Sequence, residues 1–148
     1  MTLFMFIITL KLLFIKIISF IADYLSRRRL IYMIGNIVNE NGTVNYSEEI
    51  IANIVGVSTM ECYGVVGMAS KNATDGLWEL IKGGSLSKGV KIHSKDNELF
   101  VELYIIVEYG TKISVIANNI IQKIRYNVEN YTGLKVSSIT VNVQGVRV

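Results

Sequence analysis

LFVELYIIVEYGTKISVIANNIIQKIRYNVENYTGLKVSSITVNV, residues 99–143, reads as strand, long helix, strand. Leu99, Val101, Leu103, Ile105 and Val107 alternate with Phe100, Glu102, Tyr104, Ile106 and Glu108, which is the period of a strand. Tyr109-Gly110 breaks the alternation, and Thr111 is placed to cap a helix. Ile113, Ile116, Ala117, Ile120, Ile121, Ile124, Val128 and Tyr131 then recur at helical spacing on one face. The other face carries Lys112, Asn118, Asn119, Lys123, Arg125, Asn127 and Asn130. The spacing predicts a helix over 111–132, closed by Gly133 in the left-handed position after the last turn. Ile139, Val141 and Val143 alternate with Thr140, Asn142 and Gln144 in a second strand. A right-handed crossover makes the two strands parallel if they share a sheet.

Working outward, the chain before this stretch supplies shorter elements. Ile34 to Asn41 reads as a lead-in, and Asn41-Gly42 has turn chemistry. Thr43 to Tyr46 suits a strand. Ser47 then caps a helix with Glu48 and Glu49 in its first turn, where negative charge is favourable. Ile50, Ile51, Ile54 and Val55 are its apolar face, and Gly56 lies near its end. Cys62 to Ala69 reads as a small-residue strand in which Gly64 and Gly67 imply a bulge or a close backbone approach. A short helix through Leu77, Trp78, Leu80 and Ile81 comes next, with Trp78 in its core face. Then come a loop at Gly83–Gly89, a strand at Gly89–His93 and a tight hairpin turn at Lys95–Glu98. The expected fold is α+β: a single two-layer domain with an approximately five-stranded sheet, the long helix 111–132 and two shorter helices.

The chain divides by composition into a hydrophobic segment, 1–32, and a domain, 33–148. Hydrophobic residues make up 51% of the whole, and the excess lies in the first segment. Leu3 to Ala22 is long enough to span a bilayer, which needs ~20 residues. Lys11 and Lys16 cost roughly 2.5–3.5 kcal/mol each at membrane depth, while some fourteen Leu, Ile and Phe return about 0.3–0.6 kcal/mol each. Arg27-Arg28-Arg29 comes after the run and belongs on the cytoplasmic side. The expectation is a membrane anchor, or else a start at Met33 with an upstream extension. The segment carries +4 and the whole chain +3, so residues 33–148, with ten basic and eleven acidic side chains, carry −1.

A domain near neutrality lacks the electrostatic footprint of a nucleic-acid binder. Cys62 is the only cysteine and His93 the only histidine, which excludes a Cys/His zinc cluster and disfavours a nucleophile–histidine triad. A lone cysteine fits a reducing compartment. The Gly83–Gly89 loop lacks the G-K-[ST] ending of a phosphate-binding loop, since Lys88 precedes Gly89. Gly64-Val65-Val66-Gly67 lacks the first glycine pair of a dinucleotide fingerprint. Glu102 and Glu108 share a strand face but stand roughly 20 Å apart, too far for paired acid–base work. His93 is expected to face water, and Cys62 to be a small buried residue. The sequons at Asn41, Asn72 and Asn130 are read as chance in an Asn-rich chain. The Asn-rich side of the long helix is read as a solvated face or a partner surface, because Asn brings no charge to desolvate. No catalytic, cofactor-binding or metal-ligating residue is assigned.

Several blocks, in order, resemble the alkaline shock protein family, also called the envelope stress response protein family, of Gram-positive bacteria. They are Gly42–Glu49, Gly64–Ser70, Leu86–Val90, Leu103–Gly110, Thr132–Val136 and Val141–Val146, within residues 33–148. The resemblance implies a small α+β domain with no cofactor and no catalytic residues. It also implies a cytoplasmic, membrane-associated scaffold or adaptor linked to envelope stress. Its expected partners are proteins, including a membrane-anchoring one, with self-association and, through residues 1–32, the membrane itself. The alternative from another class is a small RNA-binding α+β domain.

Overall fold

The computed structural model describes residues 15–19, 33–69 and 86–148. The chain separates into two compact units, Met1–Ile31 and Tyr32–Val148. In the first, residues 15–19 are helical, with Ile15, Ile17 and Ile18 exposed. The Leu3–Ala22 run, the Trp78 helix, the Asn72 sequon and residues 83–85 of the glycine loop otherwise fall outside the described residues. Among those described, no helix is long and apolar enough to cross a membrane.

The second unit is built around β5, Glu98–Glu108. β1 (Met33–Asn39) and β2 (Gly42–Ser47) form an antiparallel hairpin that turns at Glu40-Asn41. α1 (Glu48–Met60) leads to β3 (Val65–Met68), and a 3-10 turn at Leu86–Gly89 leads to β4 (Val90–Lys95). After β5 come α2 (Ile113–Thr132) and β6 (Lys135–Arg147). β6 pairs in parallel with β5 over its whole length, whereas β4 and β3 pair antiparallel with its first and second halves. A strand has two edges, so β3 and β4 share one edge of β5 and β6 fills the other. The six strands fall into a four-stranded sheet and a two-stranded one, where the sequence pattern predicts about five.

The alternation in β5 decides the layering. Leu99, Val101, Leu103, Ile105 and Val107 are buried against Ile51, Ala52 and Val55 of α1 and Ile116, Ile120, Ile124 and Val128 of α2. Both helices therefore lie on one face of the sheet, as expected of two layers. Burying each such side chain stabilises the fold by about 1.5–3 kcal/mol relative to exposure. On the other face Tyr104, Ile106 and Ala69 form a smaller buried cluster, flanked by Val66.

Local chemistry explains where elements begin and end. Ser47 caps α1 by accepting from Ile50 N, with Glu48 and Glu49 in the first turn. The helix continues past Gly56, because the Ser58 and Thr59 hydroxyls donate back to Ile54 O and Val55 O and so satisfy themselves inside it. Cys62 thus lies in the turn after α1 and does not open the strand, which starts at Val65. Ile50, expected on the buried face, is half exposed; Ala52 takes its place. Gly64 and Gly67 behave as their spacing predicts. The β3–β5 register shifts between Val65 and Gly67, and Gly64 has φ +86° with Ile116 Cδ1 occupying the place of its missing Cβ. Thr111 does not cap α2. Its hydroxyl bonds Glu108 O, the cap position is Lys112 without a side-chain bond, and the helix starts at Ile113. Gly133 closes it at φ 72°, donating to Glu129 O. The β4–β5 turn places Asp96 and Asn97 at φ 52° and 62°, as a two-residue hairpin of this twist requires. Asn97 also exchanges hydrogen bonds with the backbone of Asn36, tying the β1–β2 hairpin to this turn.

Candidate interaction surface

α2 presents two unlike sides. Ile116, Ile120, Ile124, Val128 and Thr132, four residues apart, are buried. On the opposite side stand Val115, Asn118, Asn119, Gln122, Tyr126 and Asn130, all exposed. Tyr126 has 69% of its surface accessible.

The charged residues of α2 are held by the protein itself. Lys123 Nζ lies 2.8 Å from Glu61 Oε2, and that carboxylate raises the lysine above its ordinary range. Arg125 Nη1 donates to Val136 O at 2.9 Å, and Glu129 Oε1 accepts from Val136 N at 3.0 Å. Asn127 Nδ2 donates to Ser58 Oγ at 2.8 Å. These contacts fasten α2 to the end of α1 and the start of β6, which leaves the outward ridge uncharged. Amides meet a partner without the desolvation cost of an ion, and tyrosine supplies large contact area with few rotamers to freeze. Two more exposed tyrosines, Tyr63 and Tyr109, flank the bond from Glu108 N to Gly64 O at the helix's N-terminal end. The sequence showed the Asn-rich side of this ridge. It did not show that Arg125 and Glu129 turn to β6, since that depends on where β6 starts.

A model of the Asp23 family, described as having a cell envelope-related function, matches residues 36–148. An uncharacterized protein of Bacillus subtilis, YloU, is 44% identical over 108 residues, 72% of this chain and 90% of that protein. The chain belongs to the Asp23 family. The name is unrelated to the aspartate at position 23. An uncharacterized Streptococcus pyogenes protein is 37% identical over 117 residues, 78% of this chain and 97% of its own length. This agrees with the resemblance to the alkaline shock proteins. Among solved structures, the copper form of the MamM CTD matches at TM-score 0.43 and 12% identity, over 68% of this chain and 88% of that one; so distant a likeness carries no argument.

Within this Asp23-family domain, the residues weighed for chemistry stay apart. His93 is exposed on β4, opposite Phe100. Cys62 is buried, with its thiol donating to Ser58 O, and burial pushes it above the ordinary thiol range despite nearby Lys123. Glu102 accepts from Tyr104 OH at 2.6 Å and from Asn142 Nδ2 at 3.4 Å, while Glu108 is exposed at the other end of β5. Leu86–Gly89, the described end of the glycine loop, is a 3-10 turn. A Cβ on its Gly89 would press on Ala69 O and Met68 at 2.9 Å, so this glycine serves packing. Among the described residues no three His, Cys, Asp or Glu side chains gather as a metal site would require.

Proposed function

We propose that this chain is a non-enzymatic adaptor of the cell envelope, whose domain docks a protein partner through the outward ridge of α2. The family's envelope-related function supports the setting. The observation that carries the docking is the uncharged ridge Val115–Asn130, left bare because Lys123, Arg125 and Glu129 are taken up by the protein's own contacts. On this reading residues 1–32 hold the domain at the cytoplasmic face of the membrane, with the N-terminus outside. Protease added to intact cells should then spare residues 33–148.

The test of the ridge is a photo-reactive amino acid placed at position 126 of the full chain in living cells. It should give one discrete adduct with an envelope protein, whereas the same group at exposed Asn53 on α1 should give none. Equal adducts from both positions would refute the ridge. Salt-dependent RNA capture in their place would transfer the function to the nucleic-acid class.

A further inference from the structure

We infer that β6 pairs edge to edge, antiparallel, with β6 of a second copy, making one continuous sheet about a two-fold axis through Val141. This does not rest on the ridge of α2.

The inference starts from backbone directions. Tyr104 O accepts from Ala69 N at 2.8 Å and Glu108 N donates to Gly64 O at 2.9 Å, so even-numbered residues of β5 turn their backbone groups toward β3. Tyr109 N donates to Arg147 O at 2.9 Å, so odd-numbered residues turn theirs toward β6. In a parallel ladder the residue facing a bonded one turns its own N–H and C=O away. Val136, Ile139, Val141, Val143 and Val146 face Leu99, Val101, Leu103, Ile105 and Val107, and so point to the open edge. Val136 bears this out: its N–H and C=O bond to Glu129 and Arg125 of α2. For the other four, no strand among the described residues fills that edge.

Natural sheets blunt such edges with proline, charge, short length or bulges. Of these, β6 between its ends carries only two bulges. This edge has thirteen residues, and Val136–Val146 contains neither proline nor an ionisable group. Register shifts against β5 leave Ser137 and Gln144 as extra residues on β6. The outward positions therefore fall at 136, 139, 141, 143 and 146. Read in either direction, the steps are the same, and the series is symmetric about Val141. A regular partner strand matches only the middle three positions. An antiparallel copy pairs the same three, each outward N–H at 139, 141 and 143 meeting a C=O, and stays in phase beyond them, because its two bulged stretches fall opposite this strand's. Val146 then comes opposite Val136, whose own N–H and C=O remain with Glu129 and Arg125. No like charges oppose each other inside the pairing. At its ends Lys135 comes opposite Arg147, and Glu98 already sits 3.0 Å from Lys135.

The experiment uses the full chain with Cys62→Ser and one new cysteine, under mild oxidation, read by non-reducing electrophoresis. Val141→Cys lies on the axis, where Cα atoms of a bonded antiparallel pair stand about 5.5 Å apart, within disulfide range. It should convert most of the protein to a covalent dimer. Val146→Cys should give no disulfide-linked dimer, because its two copies sit roughly 33 Å apart across ten residues of strand. Should Val141→Cys fail to fold, a mixture of Thr140→Cys and Asn142→Cys chains decides, since 140 faces 142 of the copy; it should yield the mixed dimer. No dimer from either arrangement, or equal dimer from Val141→Cys and Val146→Cys, would overturn the inference.

Discussion

The two sides of α2 share one backbone and one set of helix ends, yet answer to different demands. The inward side is a stripe of isoleucine and valine at four-residue intervals, buried against β5. The outward side is amide, valine and tyrosine in contact with water. Between them, Lys123, Arg125, Asn127 and Glu129 bond to α1 and β6. The inward side makes the fold. The flanks fix the helix's position, and the outward side is left free to meet something else.

The largest effect belongs to the inward side. Ile120→Asp puts an unpaired carboxylate at a fully buried position, which costs several kcal/mol. The domain should lose cooperative unfolding, by circular dichroism or calorimetry. Asn119→Asp, one residue away, should change stability by less than about 0.5 kcal/mol. Equal melting temperatures would mean that the two sides are wrongly assigned.

Gly64→Ala tests the join between α2 and β3. A methyl group at φ +86° is strained and collides with Ile116. Together these should cost about 2–3 kcal/mol, read as a lower urea midpoint at unchanged m-value. Ser58→Ala should cost less, about 1 kcal/mol, by leaving half-buried Asn127 without its acceptor. The double mutant with Asn127→Ala should recover part of that loss. Lys123→Ala removes a pair whose members are 36% and 57% exposed, and should be nearly silent in stability.

Cys62 reports on the same packing through its chemistry. Burial raises the thiol above its ordinary range, so near neutral pH the reactive thiolate is scarcer than in an exposed cysteine, and the sulfur is also out of reach. Alkylation of the native domain should be slow and should accelerate with urea in step with unfolding. Fast alkylation of the folded protein would show the α1–α2 junction to be open.

Much of this was legible in the sequence where one rule acted alone. β5 and the middle of the inward stripe of α2 follow single periods, although Ile113 and Tyr131, read as part of that stripe, are exposed at its two ends. Ser47, Asn41-Gly42 and Gly133 carry local turn chemistry. The rest depended on competition. Thr111 was free to cap α2 but bonds Glu108 O. Ser58 and Thr59 resemble helix-ending residues until their hydroxyls find Ile54 O and Val55 O. β6 runs from Lys135 to Arg147, yet its alternation shows only from 139 to 143, because the extra residues Ser137 and Gln144 shift the phase at both ends. β1 is hard to read because Gly35 and Asn36 interrupt its apolar residues; Gly35 is there to admit the Leu134 side chain, whose Cδ1 lies 2.6 Å from where a Cβ would stand. The amide face of α2 was visible as composition. Its lack of free charge was not, because that depends on partners distant in sequence.

One substitution separates the two sides most directly. Tyr126→Lys places a charge at the middle of the outward ridge, on a residue 69% exposed, and leaves every described core contact in place. Expressed as the full chain at its normal level, it should melt within about 1 °C of the unaltered protein, as a surface substitution does. A photo-reactive group carried at neighbouring Gln122 should at the same time lose its cross-link to the envelope partner. Retention of that adduct at full yield, with the melting temperature unchanged, would contradict docking through this ridge.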